Sequence, residues 1–125
     1  MVDIERLERV LVQAARERRP VSYSQLLQYF GRKVTPVMVR ALCRDLGRVE
    51  ERRRDQGLPE LACLVVRKAD GFPGDGYFIS HAKEGNYRGL PGGDAAVSFL
   101  RDQQARAFTW AAQQPPGLDS DSPPQ

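Results

Sequence analysis

Arg40, Arg44 and Arg48 recur every four residues in a stretch, from Pro36 to Gln56, whose pattern is otherwise helical. At 3.6 residues per turn the three share one side. Met38, Leu42, Leu46 and Val49 lie about 200° round the same helix, so one edge is apolar and the other cationic. A row of guanidinium groups at this spacing suits duplex DNA, where arginine pairs with guanine edges in the major groove or with phosphates. Thr35, which opens the helix, and Arg67 and Lys68, which follow a later apolar run, join the expected contact set. Asp45, Glu50, Glu51 and Asp55 are interleaved with Arg44, Arg48, Arg52, Arg53 and Arg54, so a solvated, ion-paired surface is the alternative reading.

The residues that usually perform catalysis are scarce. Cys43 and Cys63 have no metal-ligand spacing, and His81 is the one histidine, in a stretch that reads as loop. The glycine-rich run from Ala69 to Gly76 contains Asp70 and Asp75, which repel phosphate, and no Gly-Lys-Ser/Thr helix start follows it. No catalytic, cofactor-binding or metal-ligating residue is expected, and the chain does not read as an enzyme.

Several local signals mark the elements that would hold the arginines. Ser22 and Gln25 have capping-box spacing, and Leu26, Leu27 and Phe30 form the apolar side of a short helix that Gly31 can close. Thr35-Pro36 is a favoured cap and first residue for the next helix, with Gly47 as a candidate break and Arg48 to Gln56 then a separate piece. Before these comes an amphipathic helix from Ile4 to Arg18, stopped at Arg19-Pro20, with Arg16, Arg18 and Arg19 either as solvated ends or as flanks to a phosphate backbone. Leu61 to Val66 reads as a buried strand and Tyr77 to Ile79 as its return, with the turn-rich segment between them.

That order predicts an α+β winged helix-turn-helix of three to four helices plus a β-hairpin wing, occupying 1–80, with an added C-terminal helix. Residues 81–93 read as loop, 94–112 as the added helix, and 113–125, rich in proline and poor in apolar residues, as a disordered tail. Phe99 and Trp110 on the last helix serve either the core or a homodimer contact. At 125 residues the chain suits one domain. No apolar run reaches membrane-spanning length and charges break up the first ten residues, so neither a membrane span nor a signal peptide is expected and the location is read as cytoplasmic. The net charge of +3 permits a local basic patch without demanding one.

The segment Val21-Ser22-Tyr23-Ser24-Gln25-Leu26, then Arg40-Ala41, then Cys63 with Asp70-Gly71 and Gly76-Tyr77 after it, resembles the DNA-binding domain of alkylguanine DNA alkyltransferases over roughly 55 residues. The resemblance implies that Tyr23 and Arg40 help extrude a damaged base, which adds Tyr23 to the expected DNA contacts, and that Cys63 stands where that family has its nucleophile. The family's Pro-Cys-His-Arg motif appears here as Ala62-Cys63-Leu64-Val65, and a cysteine in an apolar run with no basic neighbour should have a raised pKa and be inert.

Three functions follow as expectations. The first is a small DNA-binding protein, a transcription regulator or accessory factor, reading duplex DNA with the helix from Pro36. The second is a protein-interaction adaptor that does not bind DNA, and the third an alkyltransferase-like sensor of damaged bases.

Overall fold

The computed structural model describes residues 2–90 and 93–115. Helix α1 spans Ile4–Arg16, strand β1 Val21–Ser22, α2 Tyr23–Tyr29 and α3 Pro36–Asp55; a 3-10 turn at Ala62–Leu64 leads into β2 at Val65–Val66, followed by α4 at Asp75–Lys83 and α5 at Asp94–Ala112. The architecture is α+β and mostly helical.

The first half follows its local signals. The Asp3 carboxylate accepts from the Arg6 N–H at the head of α1, and α1 buries Leu7, Val10, Leu11 and Ala14. The Ser22 hydroxyl accepts from the Gln25 N–H at 3.1 Å while the Gln25 side chain accepts from the Ser22 N–H at 3.0 Å, closing both halves of the capping box. After α2 the chain reverses at Gly31, whose φ of +71° lies in the left-handed region that side chains with a Cβ avoid. Thr35 then caps α3, its Oγ1 accepting from the Met38 N–H at 3.1 Å.

Two expectations about α3 and its surroundings are corrected. The helix does not break at Gly47 but runs without interruption to Asp55, because one glycine costs only about 1 kcal/mol in a helix interior. Burial of Leu42, Leu46 and Val49 against α1 and α2 offsets that amount. The continuous register also carries Arg53 onto the buried edge, one turn beyond Val49, where it is 1% exposed.

The hairpin wing is the larger correction. Of the run from Leu61 to Val66 only Val65 and Val66 are strand, and they pair in parallel with β1, Val21 beside Val65 and Ser22 beside Val66. The expected return strand at Tyr77–Ile79 lies inside α4, which crosses the expected boundary at residue 80. Helical spacing suits this segment because it puts Tyr77 and His81 on one side, both reaching Glu60, and sends Phe78 into a cluster with Tyr87 and Phe99. Gly85, at φ +79°, then closes the helix.

Helix α5 packs against α1, and the small side chains of Ala107 and Ala111, both fully or almost fully buried, allow the two to approach closely. Both aromatic candidates for a dimer contact are engaged within the chain. Phe99 lies 5.0 Å from the Tyr87 ring and 4.9 Å from His81, and Trp110 lies beneath the Arg53 guanidinium at 4.4 Å. The arginines read as solvated ends of the first helix are engaged as well, Arg16 with the Pro115 carbonyl, Arg18 with the Phe108 ring and Arg19 with Glu17. Residues 116–125 of the expected tail lie outside the described residues. Among the described residues, no helix is long and apolar enough to cross a membrane.

Candidate functional site: an arginine row and an adjoining cleft on one helix

Helix α3 presents three edges. Leu42, Leu46, Val49 and Arg53 face the core; Cys43, Gly47, Glu50 and Arg54 lie 100° further round and line a cleft; Arg40, Arg44 and Arg48 lie a further 100° round and are exposed. None of these three exposed arginines forms an ion pair with another described residue. The row is therefore cationic and free of internal neutralisation, which the interleaved acidic residues did not guarantee. Two of those acids are directed elsewhere, whereas Glu51 and Asp55 are exposed further along the helix. Asp45 is buried and accepts from the Val2 N–H, and Glu50 turns into the cleft.

The remaining expected contact residues separate from that row. Thr35 is committed to capping α3. Arg67 clasps Asp70 through Nε at 3.3 Å and Nη2 at 3.0 Å and lies 3.6 Å from Asp75, so its charge is largely answered within its own loop. Lys68 is exposed and has no ion-pair partner among the described residues. Tyr23 belongs to the cleft, where its hydroxyl accepts from the Gly74 N–H at 3.0 Å and pins the 67–76 loop against the start of α2. Tyr23 and Arg40 are thus on different faces.

The cleft, about 520 Å³, runs between α3 and α4 and is floored by the 58–62 segment. Its polar lining centres on two glutamates. Glu60 accepts the Tyr77 hydroxyl and lies 2.6 Å from His81 Nε2. Burial pulls the imidazolium of His81 down, but the Glu60 contact and the neighbouring negative charges outweigh it, and its pKa stands above the ordinary value. Burial also drives the Tyr77 hydroxyl upward, reinforced by the Glu60 charge, so it remains a neutral donor.

Glu50 accepts from the Leu61 N–H at 2.9 and 3.0 Å, one distance to each oxygen, and from Ala62 N–H at 3.5 Å. Burial raises its pKa from the ordinary 4.5 to about 7, against the lowering effect of the Leu61 N–H and with a further upward push from Glu60. The folded protein therefore holds a proton that the unfolded chain releases above pH 4.5, and stability falls as pH climbs towards 7, by an amount on the order of 3 kcal/mol. The raised pKa of His81 acts in the same direction, so the contribution of Glu50 is read from a difference. Glu50→Gln should flatten the stability profile between pH 5 and pH 8 in urea unfolding and be the more stable protein at pH 8. An unchanged profile would show that Glu50 titrates as it does in the unfolded chain.

Cys63, at the nucleophile position of the alkyltransferase resemblance, is fully buried, and burial followed by the charges of Glu60 and Glu50 pushes its thiol well above the ordinary value. Its Sγ lies 3.9 Å from the Glu60 carbonyl, and its own carbonyl accepts from the Gln104 side chain. A buried, protonated sulfur of this kind behaves as a core atom.

The cleft escaped sequence reasoning for a reason that can be stated. Glu50 reads as part of a mixed-charge helix and His81 as part of a loop, and only the helical form of Asp75–Lys83 brings Tyr77 and His81 to Glu60. The four-residue spacing of Tyr77 and His81 was the available signal. Comparison of the chain with protein-family models, with curated proteins and with solved structures finds no match.

Proposed function

We propose that this chain binds duplex DNA, as a transcription regulator or DNA-associated accessory factor, through α3 in a helix-turn-helix that lacks a hairpin wing. The observation that carries the reading is the free row Arg40, Arg44 and Arg48. The row contrasts with Arg53, Arg54 and Arg67, each paired to a carboxylate of the chain. A helix of 20 residues, anchored along its opposite edge, holds the row at fixed spacing. Val34 and Val37, 48% and 58% exposed, stand at the leading end of the same helix and offer methyl surface of the kind that meets thymine methyl groups in the major groove.

The test is a titration of labelled duplexes followed by fluorescence anisotropy across a salt series. Three phosphate-equivalent contacts predict a slope of log affinity against log salt near −2.7, which is roughly a 40-fold loss between 50 and 200 mM salt. Absence of binding to any duplex at 50 mM salt overturns the proposal.

A further inference from the structure

We propose that the cleft between α3 and α4 is a binding site for a small planar organic cation, an amidine or protonated aryl amine, held by the Glu50 carboxylate beside the Tyr77 ring. The inference is independent of DNA binding. Its starting point is size. A volume of about 520 Å³ falls within the range of clefts that enclose small molecules, and this one joins apolar walls to a few convergent polar groups.

The charge pairing within the cleft then selects the ligand. Three glutamates line it: Glu84 is held by Arg54 at 3.1 Å, and Glu60 by His81 and Tyr77. Among the described residues, Glu50 has only backbone N–H partners. The two lining arginines cannot serve it as ion-pair partners, because Arg54 is taken by Glu84 and Arg53 by Glu8 at 2.9 Å. An anionic ligand would therefore meet no unpaired cation and one unpaired carboxylate, whereas an amidinium supplies the missing charge and two parallel N–H donors for the two oxygens. The Tyr23 and Tyr77 rings give flat apolar surface for the body of such a ligand and a favourable quadrupole for its charge.

The backbone keeps the site open. Gly47 lies on the α3 wall in mid-helix, and a Cβ built there meets nothing within 4 Å. A larger side chain at that position meets no clash at its Cβ and stands on the cleft lining, where it should narrow the space left for a ligand.

Ionisation of Glu50 should govern the affinity. The groups around it are Cys43, Arg53 and Arg54 on its own helix, Tyr23 on α2, Glu60 and Cys63 on the floor segment, and Tyr77, His81 and Glu84 on α4. With its pKa raised to about 7, Glu50 is mostly protonated at pH 6 and mostly charged at pH 8, so a cation should bind about tenfold more tightly at the higher pH. Loss of the His81 proton as pH rises, from a pKa held above the ordinary value by Glu60 against the lowering effect of burial, works in the same sense.

Isothermal titration of the full chain with benzamidine, its neutral isostere benzamide and the anion benzoate tests the proposal. Benzamidine should bind at pH 8 at least tenfold more tightly than benzamide, with benzoate weakest. Glu50→Gln, which removes a destabilising charge and so should fold, should abolish the preference for benzamidine over benzamide. Gly47→Leu should abolish binding of benzamidine while leaving the circular dichroism spectrum intact. Equal affinity for all three compounds, stronger binding of benzoate, no binding of any, or undiminished benzamidine binding by Gly47→Leu would each overturn the assignment.

Discussion

Arg53→Met should destabilise the fold by about 3 kcal/mol, the low end of what loss of one partner of a buried ion pair costs. Methionine retains most of the side-chain volume, so the change isolates charge and hydrogen bonding from cavity formation. The guanidinium, 1% exposed, donates from Nε to the Pro59 carbonyl at 2.6 Å and from Nη1 to Glu8 at 2.9 Å, and its face lies over Trp110 at 4.4 Å. Three parts of the chain therefore meet at one side chain: α1 through Glu8, the segment after α3 through Pro59, and α5 through Trp110. Two features hold the effect below the upper end of the range. Glu8 is 17% exposed, and Arg52 Nη2 remains 3.8 Å from its other oxygen.

The same site already carries an internal cost, because Arg53 Nη2 is buried and has no hydrogen-bond partner among the described residues. Replacing both members of the pair, Arg53→Met with Glu8→Leu, should therefore recover most of the loss, since an apolar pair of similar volume avoids both desolvation terms. Urea unfolding of the single and double variants measures this. A loss under about 1 kcal/mol in Arg53→Met would mean that the pair contributes no more than an exposed salt bridge.

Alanine at both Arg40 and Arg44 should weaken duplex affinity by about 100-fold at 50 mM salt and lower the salt slope by roughly 2, one unit for each lost contact. The stability of the protein should hardly change. Both side chains are exposed and form no ion pair with a described residue, and alanine is the better helix former. That separation of binding from folding makes the experiment decisive. Affinity within twofold of the parent chain, with an unchanged slope, would transfer the binding to another surface. If Arg40 contacts a guanine edge, its single replacement also relaxes preference at one base pair, whereas a phosphate contact weakens all sequences alike.

The parts of this fold that a reader of the sequence can find are those decided within a few residues. Ser22 and Gln25 satisfy each other's backbone partners, Thr35 caps the turn that Pro36 begins, and the spacing from Leu42 to Val49 separates the buried edge of α3 from Arg40, Arg44 and Arg48. Each is a short-range preference that the tertiary structure reinforces. Val65 and Val66 are different, because their partners Val21 and Ser22 are remote in the chain and the parallel pairing leaves no local turn signal. Tyr77, Phe78 and Ile79 favour strand by propensity, yet the aromatic cluster around Phe78 and the joint attachment of Tyr77 and His81 to Glu60 impose a helix. Arg53 was hidden by its charge. Its position one turn after Val49 placed it on the buried edge, but only the partners from Glu8 and Pro59 make burial of a guanidinium tolerable there.

The parallel contact between Val21 and Val65 has a consequence for synthesis on the ribosome. The chain leaves the sheet at Ser22, builds both helices of the α2–α3 pair, and returns to the starting edge only when Val65 and Val66 emerge. Until then Val21 lacks its neighbour, and the long excursion between them must be closed at an entropic cost that grows slowly with length. A nascent chain stopped short of Val65 would display Arg40, Arg44 and Arg48 on a helix whose enclosing clasp has not shut. The strand pair should thus form late in translation, after both helices of the excursion have emerged.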